Sequence, residues 1–128
     1  MYRVLIVDDE EIIREGIGSL IDWDALGFVI CGEGIDGKDG LAKIMQYNPD
    51  LVLLDLRMPG LDGAQVINRA RDRNFRGHFI LMTGHTEIEL AQAALPLGIH
   101  DYLVKPIDDE ELLRIIGHFL VSEKYNTM

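Results

Sequence analysis

Leu51-Val52-Leu53-Leu54-Asp55 is an unbroken apolar run that stops at a carboxylate. A strand with one wet face alternates apolar and polar residues. A run without alternation belongs to a strand covered on both faces, as in a parallel sheet lying between helices. The design recurs on either side of this stretch. Val4-Leu5-Ile6-Val7 runs into Asp8-Asp9-Glu10, Phe79-Ile80-Leu81-Met82 into Thr83-Gly84, and Tyr102-Leu103-Val104 into Lys105-Pro106. In an open parallel sheet the C-terminal strand ends face one crevice, and ligands bind there. Three carboxylates, a hydroxyl and an ammonium are therefore expected along one edge.

Strand and helix patterns alternate five times, which predicts an α/β fold with a parallel sheet. Strands are expected over 2–7, 28–32, 51–55, 78–83 and 100–104. The first helix spans 10–21, with Ile13, Ile17, Leu20 and Ile21 on one face. The second spans 37–47, burying Leu41, Ile44 and Met45, and ends at Asn48-Pro49. The third spans 63–73 around Val66, Ile67 and Ala70. The fourth opens on Thr86-Glu87-Ile88-Glu89, a capping-box pattern, and the fifth on Asp108 with Glu111 three residues on. Residues 1–121 read as one domain. Ser122 to Met128 lose the apolar period and read as a true C-terminus or the start of a linker to a further domain.

A formal charge of −10 makes a surface that repels nucleic acid and anionic membrane, so DNA binding by this stretch itself is not expected. The apolar runs are far short of a membrane span. The single cysteine, Cys31, allows no disulfide within the chain and reads as a small buried hydrophobe. These features fit a cytoplasmic protein. Trp23 and Phe28 are expected to pack the connection between the first helix and second strand. His78, His100 and His118 lack zinc-ligand spacing and read as structural or surface residues.

The residues at the strand ends suit one chemistry. Magnesium prefers six hard oxygens and is usually held by a few carboxylates together with substrate phosphate. Asp8 or Asp9 with Asp55 supplies such carboxylates. An Asp can accept a phosphoryl group to give an acyl phosphate. The cation and Lys105 would offset the charge of two anions brought together, and Thr83 can donate a hydrogen bond to a phosphoryl oxygen.

With Val7-Asp8-Asp9-Glu10, Asp55-Leu56-Arg57-Met58-Pro59-Gly60-Leu61-Asp62-Gly63, Thr83-Gly84 and Asp101-Tyr102-Leu103-Val104-Lys105-Pro106, the chain resembles the receiver domains of two-component response regulators over about residues 1–121. The resemblance implies a flavodoxin-like (βα)5 doubly wound sheet in strand order 2-1-3-4-5. It implies that Asp55 takes phosphate from a phosphohistidine on a sensor histidine kinase, with at most slow self-dephosphorylation. It implies Mg2+, or Mn2+ in its place, held by Asp8, Asp9, Asp55 and the backbone carbonyl of Arg57, Asp9 more directly than Asp8. It makes Thr83 and Tyr102 a switch pair that alters the face of the fourth helix, fifth strand and fifth helix, through which family members often form homodimers. It implies a cis peptide at Lys105-Pro106. Arg57 and His85 flank the pocket and are expected to set the phosphate lifetime. Ile21-Asp22-Trp23-Asp24-Ala25-Leu26-Gly27-Phe28 looks like receivers that precede an AraC-type helix-turn-helix domain. That points to a longer transcription regulator, in which DNA is bound only through a missing C-terminal domain.

Two positions depart from the usual pattern on the output face. Pro96 removes an N–H and clashes with the carbonyl of Gln92, so the fourth helix is expected to end early or kink. Ile99 stands where a small residue is usual. Three rivals are weaker. Gly32-Glu33-Gly34-Ile35-Asp36-Gly37 fits a dinucleotide-binding fingerprint but leaves Asp8, Asp9, Thr83 and Lys105 unexplained; its glycines read as a tight turn. A haloacid-dehalogenase-type phosphatase needs a second acid two residues after Asp55, where Arg57 stands. A degenerate, non-phosphorylated interaction module is opposed by the complete residue set.

Overall fold

The apolar runs form the strands, and the polar residue after each run lies at one edge of the sheet. The computed structural model describes residues 1–126, the last of them by its backbone alone. The strands are β1 (Tyr2–Val7), β2 (Phe28–Gly34), β3 (Leu51–Asp55), β4 (His78–Thr83) and β5 (Asp101–Val104). They pair in parallel in the order β2-β1-β3-β4-β5. The helices are α1 (Glu11–Leu20), α2 (Gly37–Tyr47), α3 (Gly63–Asp72), α4 (Ile88–Ala93) and α5 (Asp109–Asn126). This is the expected flavodoxin-like (βα)5 doubly wound arrangement.

Two cores sandwich the sheet because successive strand residues point to opposite faces. Leu5, Val7, Val52, Leu54, Phe79 and Leu81 meet α2, α3 and α4 through Ile44, Val66, Ile67 and Ala91. Val4, Ile6, Leu51, Leu53, Ile80 and Met82 meet α1 and α5 through Ile17, Ile115, Ile116 and Phe119. Trp23 closes this second core as expected: its indole N–H donates to the Ile17 carbonyl at 3.1 Å, and its ring meets Phe28 edge-on at 5.5 Å.

Several expectations are corrected. Cys31 is half-buried, because β2 is an edge strand whose register with β1 slips between Val4 and Leu5, skipping Cys31. Burial still pushes its thiol pKa upward. Met45, Ile13, Leu20 and Ile21 are partly buried at the core margins. Ile99 is buried in the core on the α4 side of the sheet. The glycines near α2 serve close packing more than a turn. A Cβ on Gly40 would lie 2.6 Å from Val7 Cγ1, and one on Gly37 would collide with the Leu61 carbonyl.

The capping box expected at Thr86 does not form. The chain makes a 3-10 turn over His85–Glu87, and α4 starts after it without a side-chain cap. α4 then stops at Ala93, and a second 3-10 turn, Leu95–Leu97, carries Pro96, in line with the expected early end. The Asp108 cap does form, its carboxylate accepting from the Glu111 amide at 3.1 Å. α5 runs on to Asn126, and within it Glu123 pairs with His78 Nε2 at 2.7 Å. Thr127 and Met128 lie outside the described residues. The Lys105-Pro106 peptide is cis.

Candidate functional site

Strand order places the site. β1 and β3 are neighbours, and the chain crosses to β2 on one side of them and to β4 on the other, so the crevice opens where they end. Asp8 follows β1, Asp55 ends β3, Thr83 ends β4 and Lys105 follows β5. The sequence-predicted residues thus share one sheet edge.

Lys105 joins the two strand-end carboxylates. Its Nζ donates to Asp8 Oδ2 at 2.7 Å and stands 3.4 Å from Asp55 Oδ1. Asp8 is fully buried, and its other oxygen accepts from the Glu10 amide at 2.9 Å. Asp55 is 5% exposed and accepts from the Arg57 amide at 3.3 Å. Burial, then the Asp8 charge, raise the Asp55 carboxyl from 3.8 to about 6, against the pull of Lys105. Burial works to lower the Lys105 ammonium, but its hydrogen bond to Asp8 and the charges of both aspartates outweigh this and raise it. One cation therefore does not balance the acids around it.

One carboxylate oxygen from each of Asp8, Asp9 and Glu10 lies within 4.8 Å of the others. Asp9 and Glu10 are exposed beside the buried Asp8. This donor set is hard oxygen throughout, which fits a magnesium-type ion. Burial and then the neighbouring Asp8 charge raise the Asp55 carboxyl beside this cluster, and a cation there would offset the second of these. Arg14, which the sequence did not single out, steadies the cluster: its guanidinium donates to the Asp8 carbonyl at 2.8 Å and pairs with Glu33 at 3.0 Å.

The other expected residues frame the pocket. The Thr83 hydroxyl, 1% exposed, donates to the Gly84 carbonyl at 3.2 Å. Tyr102 is half-buried, and its hydroxyl accepts from Gln92 of α4 at 3.2 Å, tying β5 to that helix. His85 is exposed at the start of the 3-10 turn. Arg57 reaches out of the pocket, and its Nε lies 2.6 Å from Glu87 Oε2. The sequence reading missed Glu87 as a partner because it lies 30 residues from Arg57 and nothing local marks the pair. His78 and His100 lie away from this edge, each ring edge-on to Phe119 at 5.3 and 6.0 Å.

Comparison with known proteins agrees with the architecture. Residues 4–117 match the response regulator receiver domain family. The transcriptional regulatory protein YesN of Bacillus subtilis is 32% identical over 124 residues, covering 97% of this chain and 34% of that protein. The transcriptional regulatory protein HptR of Staphylococcus aureus is 33% identical over 120 residues, covering 94% of this chain and 47% of that protein. The chain thus spans between about a third and a half of the length of these curated relatives. Among solved structures, the REC domain of AraT, a response regulator from Geobacillus stearothermophilus, superposes with a TM-score of 0.93 at 35% identity, covering 99% of this chain and 98% of that one. With its strand order, its strand-end residues and a family match over most of its length, this chain belongs to the response regulator receiver domains.

Proposed function

We propose that this domain is a phosphorylation switch in which Asp55 accepts a phosphoryl group from a phosphohistidine of a sensor histidine kinase. The observation that carries this reading is the Asp8–Lys105–Asp55 arrangement, a buried carboxylate held beside one ammonium with a cluster of acids behind it. In the transfer the histidine N–P bond breaks and an Asp55 O–P bond forms. Asp55 must be ionised to attack, and Lys105 holds it in place and offsets charge on the incoming phosphoryl oxygens. Asp8, Asp9, Asp55 and the Arg57 backbone carbonyl would hold Mg2+, or Mn2+, which supplies charge neutralisation between the two anions. Thr83 turns its hydroxyl from Gly84 toward the phosphoryl group, and Tyr102 follows, reshaping the α4–β5–α5 face. That face is then the site of homodimer contact.

The domain turns over no substrate beyond slow hydrolysis of its own acyl phosphate, and Arg57 and His85 set that rate. Membership of the response regulator receiver family supports action in the cytoplasm. No described helix is long and apolar enough to cross a membrane. Its likeness to part of longer transcriptional regulatory proteins supports control of a DNA-binding region elsewhere in such a protein. The net charge of −10 argues against DNA contact by the domain itself.

Intact mass after incubation with acetyl phosphate tests this reading. A magnesium-dependent gain of one phosphoryl group, absent in Asp55→Asn, is the expected outcome. No gain with or without magnesium would favour a module that binds its partner unphosphorylated. Arg57→Ala and His85→Ala are each expected to change the hydrolysis rate of the phosphorylated protein.

A further inference from the structure

We propose that Arg57 and Glu87 form an exchangeable latch across the mouth of the acceptor pocket, with Glu87 a positioning residue that withholds the Arg57 guanidinium until a phosphoryl group competes for it. The inference rests on Asp55 being the acceptor. Arg57 sits two residues after Asp55, and its amide already donates to the Asp55 carboxylate at 3.3 Å. Its guanidinium, however, is turned to Glu87, with Nε 2.6 Å from Oε2. The bridge runs from the β3–α3 connection to the β4–α4 connection. Glu87 ends the 3-10 turn that follows Thr83-Gly84, and its amide donates to the Gly84 carbonyl at 3.1 Å. α4 begins at the next residue.

Each partner has a competing attachment. Glu87 occupies the N-cap position of α4, yet its side chain makes no cap hydrogen bond. The positive end of the helix favours a negative charge at that position; this carboxylate is committed to Arg57. Arg57 in turn is 66% exposed along its side chain, so few contacts hold it except Glu87. A phosphoryl group on Asp55 carries more negative charge than a carboxylate and offers several oxygens to a guanidinium. Arg57 then leaves Glu87 for the phosphoryl group, and Glu87 is released at the start of α4. Loss of the bridge frees the 3-10 turn that carries His85 and adjoins Thr83. The acceptor state is thereby transmitted to α4 along a second route, separate from Thr83 and Tyr102.

The test combines kinetics with the Arg57 Nε–H resonance in the intact chain. Phosphorylation by acetyl phosphate with Mg2+ is followed in wild type, Glu87→Gln, Arg57→Ala and the double variant. Glu87→Gln is expected to phosphorylate about two- to fivefold faster, the size of an exposed ion pair, and the gain is expected to vanish in the Arg57→Ala background. An equal gain in both backgrounds would show that Glu87 acts through its own charge and would overturn the latch. In wild type the Arg57 Nε–H resonance is expected to move on phosphorylation, and in Glu87→Gln to be displaced beforehand. If the protein takes up a phosphoryl group while that resonance stays in place, the latch alone is wrong. If it takes up none, the acceptor reading falls and the latch falls with it.

Discussion

Asp55 carries an electrostatic cost that pH makes visible. Its carboxyl titrates near 6 in the folded chain and near 3.8 when unfolded. Between those values the unfolded chain has released a proton that the folded chain keeps. Stability therefore falls as pH rises through this window, and the full cost is present above it. Asp55→Asn removes the ionisation. It is expected to stabilise the domain by about 1–3 kcal/mol at about pH 7 and to give no gain at about pH 4, read by urea unfolding. Lys105 acts in the opposite sense, since it offsets both aspartates. Lys105→Met is expected to cost about 2–4 kcal/mol at about pH 7, a loss that shrinks as Asp55 becomes protonated at lower pH. The sequence brought these three residues to one edge through their strand positions. It could not show that one ammonium serves two carboxylates, because Lys105 and Asp8 are 97 residues apart.

The helices were readable where their signals are local and misread where a distant partner decides. α2 and α3 follow their apolar spacing closely, and α3 begins in a reciprocal box: Asp62 accepts from the Gln65 amide at 2.9 Å, and Gln65 accepts from the Asp62 amide at 3.0 Å. Asp62→Ala is expected to cost about 1 kcal/mol in chemical denaturation. The Thr86-to-Glu89 pattern looks equally good in sequence and forms no box, because Thr86 lies inside a 3-10 turn and the helix starts one residue later than the pattern requires, with Glu87 at its N-cap. Pro96 was a dependable signal, since a missing N–H and a ring clash act within one turn. Pro96→Ala restores the donor and is expected to join Leu95–Leu97 to α4, slowing amide exchange there by about threefold or more.

The sheet and its two cores hold the domain together, and their strands were the most readable part of the chain. Continuous apolar runs announce burial on both faces whatever the order of the strands. The ring cluster on the α5 side was not announced, because it gathers residues from five separate segments. Phe119 meets Tyr2, Phe28, His78 and His100 with ring centres 5.3–6.0 Å away. Phe119→Ala is expected to cost about 3–5 kcal/mol in thermal or urea unfolding. The α4 side is built differently. Only six residues of α4 are regular helix, between two 3-10 turns, so few i→i−4 hydrogen bonds must be broken to rearrange it. A second shape of that side would therefore stand only a small free energy above the first. A ligand or modification that prefers one of them by about 1.4 kcal/mol changes their ratio tenfold. The truncated helix thus suits a graded device, in which small biases at that side tune the response.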